Sequence, residues 1–226
     1  MITLIIARHG NTFDHGDTLL RCGARTDLPL SASGQRQARA LGRELQQRFQ
    51  QLDAVYVSRL QRTQQTAALA LEHFAQSVET HVSPALDEID YGPDEGQPES
   101  TVLARLGPAA LARWDQQNIV PPGWHCEPDA MMQRWRDFLT QVTIPQYRGA
   151  RILAVTSNGT ARFLPEVVTR HASCLPGEGF KLATGAYALL QHQHGEWAID
   201  SWNLRPERAD KNTSLTGAGA QPEDNR

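Results

Sequence analysis

A chain of 226 residues with 22 basic and 25 acidic side chains, a formal charge of −3, is long enough for one α/β domain with a covering insertion. Its arginines are dispersed along the sequence, which argues against nucleic acid as a partner, and no apolar run approaches the roughly 18 residues of a membrane span. Three widely spaced cysteines, Cys22, Cys126 and Cys174, without a C-x-x-C pair, argue against a disulfide framework and a zinc site, and a strand starting at Ile2 leaves no room for a signal peptide; reduced thiols in a cytoplasmic protein are expected.

Leu4, Ile5, Ile6 and Ala7 form an apolar run suited to a strand buried on both faces, and it stops at Arg8, His9 and Gly10. Ligands of open α/β sheets bind at the carboxyl ends of the strands, so Arg8 and His9 are expected to project into a crevice whose contents Gly10 lets the backbone approach. The plainer alternative is a strand ending in surface polar residues. A polar loop over 13–29 follows, holding His15, Arg21, Gly23, Arg25, Thr26 and Asp27; it exceeds the about 4–6 residues usual for a connection, as functional or partly disordered loops do. Ser31 then caps a helix over 31–51 with Ala38, Leu41, Leu45 and Phe49 as its apolar stripe, its arginines and glutamines reading as a solvated face.

The run Ala54–Val57 is a second buried strand, and Ser58 suits the N-cap of a helix with Leu60, Thr63, Ala67, Ala70 and Phe74 on its core side. Arg62 falls in that helix's first turn, where the dipole disfavours a cation, so it is placed either to meet an anion or simply at the surface. Residues 80–86 read as a short strand before an acidic loop over 87–96. A helix over 101–117 and the irregular 120–126 form a cap over the sheet, within an insertion of about 93–127, where Trp114 and Trp124 pack rather than stack on a ligand. A helix over 128–141 precedes the third buried strand, 151–156, which ends in Ser157, Asn158 and Gly159 and leads to a helix through Arg170. Residues 186–192 and 197–202 form a hairpin about a 193–196 turn, whose His192 and His194 lack further ligands for a metal, and 205–226 reads as a disordered tail after a single domain over 1–204.

Recurring strand-then-helix units predict a three-layer α/β/α fold with a mostly parallel central sheet. Three strands then end on one edge and gather Arg8, His9, Ser58, Arg62, Ser157 and Asn158 around a common crevice, with the acidic loop at Glu88 reaching over it. Two guanidiniums, an imidazole and donor-rich turns describe a site for a phosphoryl group, whose oxygens match guanidinium forks.

The sequence resembles the histidine phosphatase superfamily, which also contains the cofactor-dependent phosphoglycerate mutases. Arg8-His9-Gly10 matches its R-H-G signature, and Ser58-Arg-Leu-Gln-Arg62 with Thr66 its S-x-L-x-R-x-x-x-T element. Asp27-Leu-Pro-Leu-Ser31 with Gly34 and Gln37-Ala38 is similar to its D-x-x-L-(S/T)-x-x-G-x-x-Q-A segment, and Leu86-Asp-Glu88 to its L-x-E before Tyr91-Gly92 and Glu95-Gly96. The likeness covers residues 3 to about 170. It implies a phosphoglycerate mutase-like fold with His9 as a nucleophile that forms a phosphohistidine, Arg8 and Arg62 clamping the phosphoryl oxygens, and Glu88 as proton donor, with no metal or other cofactor. A histidine beside two guanidiniums is biased towards the neutral form that a nucleophile needs.

One departure matters. The family's second histidine, in V-(S/T)-H-G-G, is replaced in Val155-Thr-Ser157-Asn158-Gly159, and losing a donor directed at a transition state typically costs about 10²–10³ in rate. Ser157 and Asn158 offer neutral donors in its place. Asn11 stands where the family more often has Glu or Gln, and His15 where the mutases have an asparagine near the phosphate, as a substitute donor or a surface residue. Gly23, Arg21 and Arg25 complete the phosphate- or substrate-binding candidates in the 13–29 loop. The first function expected is a metal-independent phosphomonoesterase acting on a small phosphorylated metabolite. A mutase must hold a second anion, for which the cap offers only Arg105 and Arg113, with Arg21 and Arg25 in reserve. A non-catalytic phosphate-ligand binder or sensor is the remaining reading; it would need neither His9 nor Glu88.

Overall fold

β1 (Ile2–Arg8) is buried from Ile2 to Ala7 and forms the spine of the sheet. The computed structural model describes residues 1–168, 170–171 and 181–206. β1 pairs in parallel with β4 (Arg151–Thr156), which pairs in parallel with β2 (Ala54–Val57), and β2 in parallel with β3 (Thr80–Val82). On its other side β1 runs antiparallel to β6 (Tyr187–Gln193), and β6 to β7 (Glu196–Leu204), while β5 (Arg170–His171) adds to β7 in parallel. The sheet order is β3-β2-β4-β1-β6-β7-β5, mostly parallel as expected, with the antiparallel pairs at the hairpin.

Alternation of side chains along buried strands supplies two cores, one on each face. Ile5, Ala7, Val55, Val57, Leu153 and Val155 meet Leu41 and Leu45 of α1 (Ala32–Phe49) and Ala67 of α2 (Gln61–Leu71). Leu4, Ile6, Tyr56, Ile152 and Ala154 share the opposite core with Val102 of α3 (Glu99–Leu106), Trp114 of α4 (Pro108–Gln117), Trp135 and Phe138 of α5 (Pro128–Gln141), Ala161 of α6 (Asn158–Ala161) and Leu164 of α7 (Leu164–Val167). Helices on both faces make the three layers. No helix among the described residues is long and apolar enough to cross a membrane.

Several boundaries differ from the sequence expectation for local reasons. Ser31 caps α1 as expected, its Oγ accepting from Gly34 N at 3.2 Å. Ser58 does not cap α2: Leu60 takes that position, Ser58 Oγ accepts from Leu60 N, and the first helical N–H, that of Gln61, donates to Asp27 Oδ1 at 2.7 Å. A side chain from the distant 13–29 loop therefore does the capping. The helix expected over 101–117 is two, broken at Gly107, whose φ of +76° and the proline after it end one helix and begin the next. Residues 80–86 divide into β3 and a 3₁₀ turn at Pro84–Leu86. The helix expected to run to Arg170 stops at Val167, and the chain turns extended to pair with β7. Of the tail expected over 205–226, residues 207–226 lie outside the described residues, as does Cys174; Cys22 and Cys126 are free thiols.

The start of α1 lies directly against the end of β1. A Cβ at Gly10 would stand 2.4 Å from Gly34 O, a distance that only glycine accommodates, and this approach fixes the backbone next to His9.

Candidate active site

The ends of β1 and β4 open on a cleft of about 620 Å³ lined by Arg8, His9, Asn11, Glu88 and Asn158, among others. His9 continues the ladder past β1, its N–H donating to Thr156 O at 3.1 Å, so the residue that follows Thr156, Ser157, lies beside it in register. His9 is 7% exposed, and its Nδ1 is 2.7 Å from Gly10 O. A carbonyl only accepts, so this contact assigns the hydrogen to Nδ1 and leaves the lone pair of the neutral ring on Nε2. Burial, then the guanidiniums of Arg62 and Arg8, hold the His9 pKa well below the ordinary 6.5, against the Gly10 bond.

This electrostatic arrangement has a measurable consequence. An NMR titration of the His9 ring should give a midpoint below 6.5, and Arg62→Gln should raise it, because one cation opposing the imidazolium is gone while burial remains. Arg8→Gln makes the same test from the other side. A midpoint at or above 6.5, or one unmoved in both variants, would refute the coupling.

Arg62, the second residue of α2, is fully buried; its Nη1 donates to Thr26 O at 2.7 Å and its Nη2 to Gly23 O at 3.1 Å. Thr66, one turn on, ties α2 to the end of β1: its Oγ1 accepts from Gly10 N at 3.1 Å and donates to Arg62 O at 2.7 Å. Arg8 Nη1 donates to Leu182 O at 2.9 Å, and burial lowers its pKa. Three buried donors on predicted site residues have no hydrogen-bond partner among the described residues: Arg8 Nε, on a residue that lines the cleft, and Arg62 Nε and Ser157 Oγ, on fully buried residues outside the cleft lining. Each such group costs about 1–3 kcal/mol of desolvation, and Arg8 Nε, next to His9 in the chain, is a donor that an anion in the cleft could satisfy.

Glu88 is 6% exposed and held from both sides, Oε1 accepting from Ile89 N at 2.9 Å and Oε2 from Gly159 N at 3.1 Å. A Cβ at position 159 would stand 2.4 Å from Oε1, which explains a glycine there. The segment before it is strapped to β4 and α6: Thr156 Oγ1 donates to Leu86 O at 2.7 Å and Thr160 Oγ1 to Asp87 O at 2.6 Å.

The other candidates divide. Asn158 lines the cleft, its Oδ1 accepting from Leu182 N at 2.9 Å, and Asn11 lines it with Nδ2 donating to Ser33 Oγ. Arg21 reaches the cleft but is bonded to Glu99 at 2.6 Å and lies over the Tyr91 and Trp124 rings. Gly23 contributes its carbonyl to Arg62 rather than touching a ligand. Arg25 and His15 do not line the cleft: Arg25 Nε and Nη2 bond the Asp90 carboxylate at 3.1 and 3.0 Å, and His15 is an exposed loop residue. Sequence reasoning passed over Lys181, Thr184, and the α4 residues Leu111 and Asp115 as lining, and it read Trp114 as packing alone, whereas this 2%-exposed ring does both. Tyr91, paired with Gly92 in the motif, has its hydroxyl 3.5 Å from Glu88 Oε2. Cys22 also lines the cleft, but burial pushes its pKa up to about 11, so it stands as a thiol and not a thiolate.

A family model for the histidine phosphatase superfamily (branch 1) matches residues 4–205. A 2,3-bisphosphoglycerate-dependent phosphoglycerate mutase of Allorhizobium ampelinum is 31% identical over 170 residues, 74% of this chain and 80% of that protein. Among solved structures, a mycobacterial glucosyl-3-phosphoglycerate phosphatase complexed with VO3 superposes with a TM-score of 0.72 at 23% identity, over 90% of this chain and 100% of that one. The alpha-ribazole phosphatase from Shigella flexneri gives 0.64 at 22%, over 92% and 98%. At these identities the two structures bear on the fold.

Proposed function

The chain belongs to the histidine phosphatase superfamily, and from that premise we propose that it is a metal-independent phosphomonoesterase acting on a small phosphorylated metabolite. The observation that carries the reading is a cleft-lining histidine whose Nε2 holds a lone pair, with the Arg62 and Arg8 guanidiniums near enough to lower its pKa and Arg8 Nε left without a partner among the described residues. Nε2 attacks phosphorus, the guanidiniums take the charge of the non-bridging oxygens, and Glu88 gives its proton to the departing alkoxide oxygen. Water then attacks the phosphohistidine, Glu88 recovers a proton from it, and phosphate leaves with Nε2 restored.

Hydrolysis is favoured over mutase chemistry by how the nearby cations are spent. Among the described residues Arg21 is neutralised by Glu99, Arg25 by Asp90 and Arg105 by Asp94, which leaves Lys181, besides Arg8, as the lining cation outside an ion pair, set against the carboxylates of Glu99 and of the Arg162-paired Asp115 on the same cleft. A binder that performs no chemistry has no use for Glu88 in a position held by two backbone N–H groups. Incubation with p-nitrophenyl phosphate and a metal chelator should release phosphate, while 3-phosphoglycerate with 2,3-bisphosphoglycerate should give no isomer. Folded protein that turns over none of a broad panel of phosphate esters would overturn the proposal in favour of a binder.

The missing imidazole gives a second test. Ser157 follows Thr156, whose carbonyl accepts from the His9 N–H, and its buried Oγ has no partner among the described residues, so Ser157→His is expected to raise kcat by up to about 10²-fold, the worth of a donor directed at the transition state. An unchanged kcat in a folded variant would show that position 157 does not address the phosphoryl group.

A further inference from the structure

Next to the cleft, and sharing Asn11 and Thr184 with it, runs a groove of about 560 Å³ between α1 and the residues after β7. Its walls carry Arg36, Arg39 and Arg43 of α1 together with Arg205, and no carboxylate is among the described residues that line it. Arg39 is bonded through Nε to Glu72 at 3.0 Å; Arg36, Arg43 and Arg205 have no ion-pair partner among the described residues. Spacings of three and seven put the α1 arginines on one face, where like charges at helical spacing destabilise the helix unless an anion intervenes. Four cations on one groove of a chain with net charge −3 is a local reversal of sign.

We propose that this groove is a binding site for an oligophosphate, separate from the phosphoryl position at His9. Guanidinium forks recognise phosphate oxygens in pairs, and Arg36 and Arg43 lie two turns apart, about 10 Å along the helix axis, a spacing at which each can fork onto a different phosphate of one chain. A chain of phosphates spans that distance and reaches Arg205 across the groove. The boundary between the two sites is itself fixed, because Asn11 N donates to Gln37 Oε1 at 2.8 Å and a Cβ at Gly185 would stand 2.8 Å from Gln37 Cβ.

The test is calorimetric titration of the full-length protein with inorganic tripolyphosphate, which needs no turnover and so succeeds or fails independently of the hydrolase reading. The wild type should bind, with affinity falling steeply as salt rises. The variant Arg36→Gln/Arg43→Gln/Arg205→Gln, altered only at exposed or half-buried positions and checked for folding by circular dichroism, should bind at least about tenfold more weakly. Equal affinity for ATP and tripolyphosphate would assign recognition to the phosphates alone, and tighter binding of ATP to a nucleotide that carries them; either supports the site. No binding by the wild type, or unchanged binding by the folded triple variant, overturns it.

Discussion

His9→Ala is expected to lower kcat on p-nitrophenyl phosphate by at least about 10³-fold while leaving the protein folded, because on the proposed mechanism it removes the nucleophile that forms the covalent intermediate. The structural cost should be modest, about 1–2 kcal/mol, since the lost side chain makes one hydrogen bond, to Gly10 O, and its backbone N–H keeps the bond to Thr156 O. Thermal unfolding and activity of the same preparation separate the two effects. A rapid acid-free quench with labelled substrate should trap a phosphoryl group on the wild type that is lost in acid and absent from the variant. A label that survives acid would move the nucleophile to a hydroxyl, and retention of most of the activity by the variant would end the covalent-histidine reading.

The fold was legible because its signals are local. Ile5 and Ile6 alternate between two cores within a run too apolar for a one-sided strand, and α5 ends at Gln141, the residue its periodicity indicates. What escaped was set by distant residues: the α2 start is fixed by Asp27 thirty-four positions away, and the 99–117 stretch divides at a glycine whose left-handed conformation its neighbours do not announce. The site followed the same division. Arg8, His9, Arg62 and Glu88 were proposed from ordered motifs, and the fold sets the Arg62 and Arg8 guanidiniums where their charge lowers the His9 pKa. His15 was chosen from its place in the family resemblance and is an exposed loop residue, while Arg25 was chosen by residue type and proves to be partnered by Asp90, which sequence separation concealed. Conversely, arginines that look dispersed along the chain, Arg36, Arg43 and Arg205, are gathered into one groove by helix spacing and by the return of β7.

Glu88→Gln should reduce turnover by an amount that depends on the leaving group, and that dependence distinguishes proton donation from mere positioning. The variant keeps the shape of the side chain but has no proton to give the bridging oxygen. For an alkyl phosphate, whose alkoxide is a poor leaving group, the loss should be about 10²–10⁴-fold, the usual worth of a general acid; for p-nitrophenyl phosphate, whose phenolate departs unaided, it should be about tenfold or less. There is also a stability effect of known origin. Both Glu88 oxygens accept from backbone N–H groups, of Ile89 and Gly159, so the amide NH₂ of glutamine must face one donor with another, costing about 1–3 kcal/mol. Activity is therefore compared at a temperature where both proteins are fully folded, and the readout is the ratio of the two losses within one variant, which partial unfolding cannot change. Equal losses on both esters would place Glu88 among the residues that shape the cleft and require another acid, with the cleft-lining Tyr91 hydroxyl, 3.5 Å from Glu88 Oε2, the group to try.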